Sequence, residues 1–361
     1  MKFRTRLNLL ERIVLILNIL CATCLVVSYM AASTNPGEFS LIAILGFSYQ
    51  VLLLVNIVFI LFWLVRLKIY VLVSAVCILA GFNFLVANFG FRSAFPVNDR
   101  KNPGNIRIME YNVNGFTGIG AYDREPTQNQ IFKLIKNKQP DIVAIEEYVS
   151  NKGDVQIADS IKKILQTDYF YFKPYGSNKN YSYGQAIFSK LPIVDTNYVA
   201  APEALQTRAI FIDVKYKNQI FRIYSVHLAA VDIKNKSDYL NDDIPLDKTA
   251  AIERSLSAAF VMRSHQVDYI KNSLDSCPHP YIVVGDFNDT PNSYSVNILG
   301  KGLKNAFVEK GSGLGITRYG KFPKLQIDYI LVNPAFKVVN YETVDKEFSD
   351  HRAVISDISL N

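Results

Sequence analysis

Three apolar runs, about residues 13–32, 41–65 and 69–89, constrain this chain more than any other feature. Each reaches the roughly 20 residues that a helix needs to cross the hydrocarbon layer of a bilayer. The first run is too long for the core of a cleavable signal peptide, and two more follow it, so no cleavage is expected. The polar turn at residues 33–38 has no basic residue, whereas the N-terminus and the turn Arg66-Leu67-Lys68 are basic. Basic flanks stay in the cytoplasm. The expectation is a multi-pass protein of the cell membrane with a cytoplasmic N-terminus. An odd number of spans puts everything after Phe91 on the extracytoplasmic side. Asn18, Asn56, Asn83 and Asn88 can bond between helices, but so few ionisable groups lie in the runs that a transport path is not indicated.

The net charge divides along the same line: of the total of +7, residues before Arg92 carry +4 and the remainder +3. The high pI is thus mostly a topology signal and gives no support to a basic nucleic-acid face. Cys21, Cys24 and Cys77 lie in the apolar runs and Cys277 is alone in the remainder, which therefore holds no internal disulfide. Cys21 and Cys24 lack His or further Cys partners and read as small packing residues. The organisation expected is an anchor of residues 1–91, a linker of residues 92–104 and a soluble domain of residues 105–361.

In that domain, buried strands end in polar groups. Tyr281-Ile282-Val283-Val284 reads as a strand buried on both faces. Gly285 then permits a tight turn, and Asp286, Phe287, Asn288 and Asp289 follow at once. A strand that carries acid and amide groups at its end is a rigid mount for chemistry; the same letters also suit an Asx-rich turn. Residues 106–111 alternate as a strand and run into Asn112 and Asn114. Residues 141–147 form a second apolar strand ending in Glu146 and Glu147, carboxylates of the kind a hard divalent cation takes, or a solvated strand end. Residues 209–215 and 219–226 read as a hairpin around Lys217-Asn218, with His227 after the second arm. Asp328 faces inward by alternation in residues 327–332 and needs a partner there. Asp350 and His351 precede a last strand, residues 353–360. Helices are expected over residues 127–138, 158–165 and 249–273, and residues 231–248 read as a polar flap.

Taken in order, seven stretches resemble the endonuclease/exonuclease/phosphatase superfamily, the DNase I-like fold. They are Tyr-Asn-Val-Asn-Gly at 111–115, Pro-Asp-Ile-Val-Ala-Ile-Glu-Glu at 140–147, Gly-Gln-Ala-Ile-Phe-Ser at 184–189, Ser-Val-His-Leu at 225–228, Gly-Asp-Phe-Asn-Asp at 285–289, Ile-Asp-Tyr-Ile-Leu at 327–331 and Ser-Asp-His-Arg at 349–352. The resemblance covers residue 106 to the C-terminus and none of the anchor. It implies an α/β fold, a DNase I-like four-layer sandwich of two packed β-sheets flanked by helices, here preceded by three transmembrane helices.

The resemblance further implies metal-assisted attack of water on a phosphodiester or phosphomonoester, with Mg2+, or Mn2+ in its place, as cofactor. It matches Glu147, Asn112 and Asp350 to metal binding. Asp286 and Asn288 match the pair that activates water and holds phosphate, and His227 a phosphate contact. Asp328 matches the acid that orients His351, and Asp286 and His351 remain alternative bases. Asn114 stands where repair endonucleases of the superfamily carry Asp, and His227 where they lack His, which disfavours DNA repair. The expected partners are a phosphate-ester substrate (nucleic acid, lipid or small molecule) and the bilayer, with no protein partner. The alternative is a non-catalytic binding or sensor module that keeps the fold.

Overall fold

The computed structural model describes residues 6–92, 101–118, 124–151, 156–231, 246–319 and 324–360. Most of the expected linker (93–100) and flap (232–245) lies outside the described residues. The chain divides into two compact units.

One unit comprises Phe89–Ala229, His265–Asn288 and Leu299–Asn361. Among its described residues a seven-stranded sheet runs in the order Phe336–Val338, Val354–Leu360, Ile106–Asn112, Ile142–Asn151, Tyr181–Ser189 and Phe170–Ser177, with Glu342–Thr343 also on Val354–Leu360. A six-stranded sheet runs Lys304–Asn305, Asp328–Val332, Tyr281–Asp286, Gln219–His227, Arg208–Tyr216 and Ile193–Tyr198. Pro192 separates Tyr181–Ser189 from Ile193–Tyr198, and the two strands belong to different sheets. Each sheet holds one parallel pair: Ile106–Asn112 with Ile142–Asn151, and Gln219–His227 with Tyr281–Asp286.

Period-two alternation decides what each face meets. Ile108, Ile142, Ala144 and Ile187 of the first sheet share one buried core with Ile212, Ile223, Ile282, Val284 and Ile330 of the second. The intervening residues Met109, Val143, Ile145 and Phe188 pack instead with Ile131, Ile135, Ile161 and Leu165. Those four come from the helices Arg124–Lys138 and Gln156–Leu165, which cover the outer face. On the second sheet, Tyr224 Oη donates to the Ser273 carbonyl at 3.1 Å, in the C-terminal part of helix Leu246–Asp275. The domain is therefore α/β with helices outside its sheets.

The other unit comprises Met1–Asn88, Ala230–Ser264 and Asp289–Ile298. Residues Leu9–Ala32 make one segment of 24 residues, long and apolar enough to cross a membrane. The other two runs differ from the continuous helices expected. Ser40–Phe47 and Tyr49–Val65 meet at 61°, and Val71–Ala80 and Phe82–Asn88 at 73°. The second bend falls at Gly81. A Cβ there would stand 2.2 Å from Cζ of Tyr29, whose ring stacks on Phe84 and whose hydroxyl donates to the Cys77 carbonyl. The first bend lies beside Gly46, where a Cβ would come 2.3 Å from Cβ of Ala31.

This bundle exposes many apolar side chains and buries polar ones alongside Leu25 and Trp63. Leu9, Leu10, Ile16 and Leu20 are exposed, whereas Glu11, Asn18, Asn56 and Ser74 are buried. Asn18 Nδ2 donates to Ser74 Oγ at 2.6 Å, Ser74 Oγ to Asn56 Oδ1 at 2.7 Å, and Trp63 Nε1 to Asn18 Oδ1 at 2.9 Å. Glu11 closes a capping box with Asn8 and pairs with Arg66 and Lys68 at 3.1 and 3.3 Å. Segment Asp289–Ile298 is fastened at the other ends of the helices. Asn88 Nδ2 donates to Asn292 Oδ1, and Asn297 Nδ2 to the Ala32 carbonyl, both at 2.7 Å. Asp289, the last of the letters that also suit an Asx-rich turn, is buried and takes N–H from Arg263 Nε at 3.1 Å and O–H from Ser295 at 3.0 Å.

Candidate active site

The rows of side chains that face the sandwich interior turn polar at one end. On Ile106–Asn112 the row is Ile106, Ile108, Glu110 and Asn112; on Ile142–Asn151 it is Ile142, Ala144 and Glu146. On Gln219–His227 it is Phe221, Ile223, Ser225 and His227; on Tyr281–Asp286 it is Ile282, Val284 and Asp286. Parallel register sets Asn112 opposite Glu146 and His227 opposite Asp286, and antiparallel register adds Asp328 opposite Asp286. The carboxyl ends of both parallel pairs thus deliver polar groups to one place, the usual position of a site in sheets of this kind.

Two backbone devices sharpen the placement. Gly285 has φ +139°, and a Cβ there would lie 1.9 Å from the Val226 carbonyl oxygen, so only glycine lets this strand approach its neighbour. Glu147 has φ +51° at a register shift between Ile145 and Tyr148. That bulge aims successive side chains differently. Glu146 is buried, and Glu147 keeps 41% of its side chain exposed at the mouth.

Asp286 Oδ2 is where the groups converge. It accepts from Asn112 Nδ2 at 3.1 Å and from Asn288 Nδ2 at 3.2 Å, and lies 3.8 Å from His227 Nε2 and 3.7 Å from His351 Nε2. Asp286 Oδ1 accepts the Asn288 backbone N–H at 2.8 Å, which holds Asn288 at φ +50°. Asn288 Nδ2 also donates to the Leu228 carbonyl at 3.1 Å. On the far side of His351, Nδ1 lies 3.0 and 3.1 Å from the two oxygens of Asp328. Thr317 Oγ1 accepts the backbone N–H groups of Ile327 and Asp328 at 2.9 and 3.1 Å, fixing that strand end. Ser349 Oγ donates to the Asn112 carbonyl at 2.7 Å and ties the last motif to the first.

Sequence-expected residues Asn112, Glu147, His227, Asp286, Asn288, Asp328 and His351 are therefore neighbours. Asp350 stands beside them, 3.4 Å from Ser349 Oγ and close enough to His351 to favour its charge. Phe287 is buried against Tyr329, ring centroids 5.1 Å apart, so it packs. Sequence reasoning passed over Glu110, whose acid ends an apolar row, and Arg208, which opens the strand paired in register with His227. It left Glu146 open as a solvated strand end; instead Glu146 accepts from Ser225 Oγ at 2.6 Å in the interior.

The electrostatics follow from burial and crowding. Burial pushes Glu146 up to about 7, against the Ser225 hydrogen bond. Burial raises Glu110 well above the carboxylate range, and Asp328 and Glu146 add to it. Asp286 is also raised, first by burial, with His351 opposing. His227 is pushed down to about 4 by burial, so it is neutral near pH 7. His351 goes the other way. Burial opposes its charge, but Asp328 and then Asp286 outweigh burial and raise it to about 10.

Such a concentration of carboxylates fits a cation. Among the described residues, Asp286, Asp328 and His351 offer ligand atoms within 4.8 Å of one another. His351 Nδ1 and Asp328 are already joined by a hydrogen bond, however, which leaves Glu147, exposed at the mouth, as the freer oxygen donor. Asn112 Oδ1 accepts the Asn114 backbone N–H at 3.0 Å. That fixes its amide group toward Glu147 Oε1, at 3.4 Å, and Asp286. It therefore presents N–H rather than oxygen to the carboxylates.

Residues 109–351 match the Endonuclease/Exonuclease/phosphatase family, and residues 11–88 match a domain of unknown function (DUF8431). No curated protein matches the chain. Solved structures do. An endonuclease/exonuclease/phosphatase from Beutenbergia cavernae is 20% identical over 71% of this chain and 72% of its own, with a TM-score of 0.52. A family protein from Leptotrichia buccalis is 19% identical over 71% of this chain and 100% of its own, with a TM-score of 0.52. The human Nocturnin catalytic domain with bound sulfate is 19% identical over 72% and 94%, with a TM-score of 0.50. At these identities the likeness is one of fold.

Proposed function

The chain belongs to the endonuclease/exonuclease/phosphatase family, and from that membership we propose that it is a membrane-tethered, Mg2+-dependent phosphoesterase acting outside the cytoplasm. Enzymes of this family hydrolyse phosphate esters and use divalent metal ions. The observation that carries the reading is the buried sequence of contacts from Asp328 through His351 to Asp286, on an oxygen also held by Asn112 and Asn288.

Asp328 holds the His351 ring by Nδ1–H and favours the imidazolium, so Nε2–H faces Asp286 and the reacting phosphate. A protonated His351 is no base. Asp286 takes that role: its raised proton affinity suits it to accept a proton from water as the water oxygen bonds to phosphorus and the leaving-group bond breaks. The imidazolium and the N–H groups of Asn288 and neutral His227 then offset the charge gathering on the phosphate oxygens. We assign the metal to Glu147 and Asp350, with Asn112 orienting the Glu147 carboxylate. Bound there, Mg2+ or Mn2+ supplies neutralisation of a phosphate oxygen and stabilises developing charge. The substrate is a phosphodiester or phosphomonoester of a nucleic acid, lipid or small molecule.

The tether reading rests on the helical unit. Apolar side chains outside and a satisfied polar network inside suit lipid rather than water. On this reading the expected spans 13–32, 41–65 and 69–89 correspond to segment Leu9–Ala32 and to the two bent helix pairs. The Arg66–Lys68 end is cytoplasmic by the positive-inside rule. An odd number of spans then puts the sequence after residue 91 on the extracytoplasmic side. Hydrolysis of a generic phosphodiester by the full-length protein, abolished by chelator and restored by Mg2+, tests the enzyme. Protease accessibility on intact spheroplasts tests the side: protection of the domain after residue 105 contradicts it.

A further inference from the structure

Beside Glu147 the catalytic unit opens into a cleft of about 460 Å3, bordered by Asn114, Tyr175, Tyr181, Tyr183 and Arg208. Its far wall is aromatic. Tyr175 stands on strand Phe170–Ser177 and Tyr183 on the adjacent strand Tyr181–Ser189, rings edge to face with centroids 5.7 Å apart. Gly176 makes this possible, because a Cβ there would stand 2.2 Å from Cζ of Tyr183. The ring is seated, yet Tyr183 is 43% exposed. Seated aromatic rings on a concave wall are stacking surfaces.

Arg208 supplies the charge. Its guanidinium carbon lies 4.2 Å from the Tyr175 ring centroid and, among the described residues, it makes no side-chain hydrogen bond or ion pair. In register it faces His227, so the cleft adjoins the phosphate position assigned above. An unpaired guanidinium is a planar donor for phosphate oxygens.

Two kinds of substituent suit tyrosine walls, and Arg208 decides between them. A quaternary ammonium group gains about 0.5–2 kcal/mol over an aromatic face. The Arg208 guanidinium already sits on that wall, and a second cation beside it is repelled. The Arg208 guanidinium held on the Tyr175 ring therefore excludes a cationic headgroup. A flat, uncharged ring meets no such penalty, and stacking of a base on an aromatic side chain is worth about 1–3 kcal/mol.

We infer that this cleft is a nucleobase subsite: the base stacks on Tyr183, and Arg208 binds a phosphate oxygen of the same nucleotide. The inference rests on the phosphoesterase reading for the position of the scissile phosphate.

Three p-nitrophenyl phosphodiesters test it on the full-length protein with Mg2+: those carrying thymidine, choline or methyl as the other substituent. They share a leaving group. The thymidine ester is expected to exceed the methyl ester in kcat/KM by roughly tenfold or more, equivalent to about 1.4 kcal/mol of stacking. The choline ester is expected at or below the methyl ester. Tyr183→Ala should shrink the thymidine-to-methyl ratio to about one, and Tyr183→Phe should restore it. A choline preference, or a ratio that Tyr183→Ala leaves intact, overturns the subsite.

Calorimetric binding of thymidine 5′-monophosphate separates the two claims. If no ester turns over but Tyr183→Ala weakens this binding by roughly tenfold, the phosphoesterase reading fails and the subsite stands. If esters turn over but both proteins bind the nucleotide equally, the subsite alone fails.

Discussion

His351 Nδ1 sits between the two carboxylate oxygens of Asp328, at 3.0 and 3.1 Å, with both residues buried. This pair explains why an acid is tolerated inside an apolar strand: its charge is matched by an imidazolium. It also fixes which face of the ring meets Asp286.

Asp328→Asn should therefore lower the His351 pKa from about 10 and reduce kcat by roughly 10²-fold or more. Histidine NMR titration of the metal-free protein reads the first effect, and the alkaline limb of the pH–rate profile, moved toward neutral pH, the second. The stability sign follows. A group whose folded pKa is raised contributes stability that is complete below its unfolded value, about 6.5, and is lost as pH rises through about 10. Thermal unfolding from pH 6 to 10 should thus show a decline that Asp328→Asn flattens.

Asn112 presents its amide N–H to Glu147 and Asp286. Asn112→Ala should weaken apparent Mg2+ affinity by roughly 10–100-fold, as loss of a group that orients metal ligands does. Activity titrated against free Mg2+ measures it, and an unchanged midpoint would remove Asn112 from that role.

Gly285→Ala should unfold or severely destabilise the catalytic unit. Its φ of +139° alone implies strain of about 1–3 kcal/mol for a side chain, before the contact with the Val226 carbonyl is counted. Circular dichroism melting of the variant checks this; a wild-type midpoint contradicts it.

In the helical unit, Asn18→Leu breaks contacts to both Ser74 and Trp63. A loss of about 0.6–2 kcal/mol is expected, the range for hydrogen bonds between membrane helices. Unfolding in mixed micelles against denaturant gives the value.

The site was legible in sequence where chemistry and strand ends coincide. Asp286, Asn112 and His227 each close an apolar strand, Asn288 follows one closely, Glu147 ends the apolar part of another, and strand alternation alone demanded a partner for Asp328. What sequence hid depends on distance in space. Glu110 is one letter in an alternating strand, and nothing local says that its row leads into the interior beside Glu146. Asp289 looks like turn punctuation because Arg263, its partner, lies on a helix with no motif. Tyr175 and Tyr183 come from neighbouring strands of one sheet and Arg208 from a strand of the other, so only the packed sheets bring the three to one cleft. In the apolar runs, length and polarity were readable, whereas the bends, which fall beside Gly81 and Gly46 where Tyr29 and Ala31 pack closely, were not.

The central claim is that Asp286 acts as the base in metal-assisted hydrolysis. The most direct measurement is steady-state turnover of a generic phosphodiester by the full-length protein in nanodiscs, wild type against Asp286→Asn, with Mg2+ and with chelator. The account predicts chelator-sensitive turnover in the wild type and a loss of roughly 10²–10⁴-fold in the variant at an unchanged circular dichroism spectrum. Turnover in Asp286→Asn equal to wild type, or turnover indifferent to chelator, would contradict it.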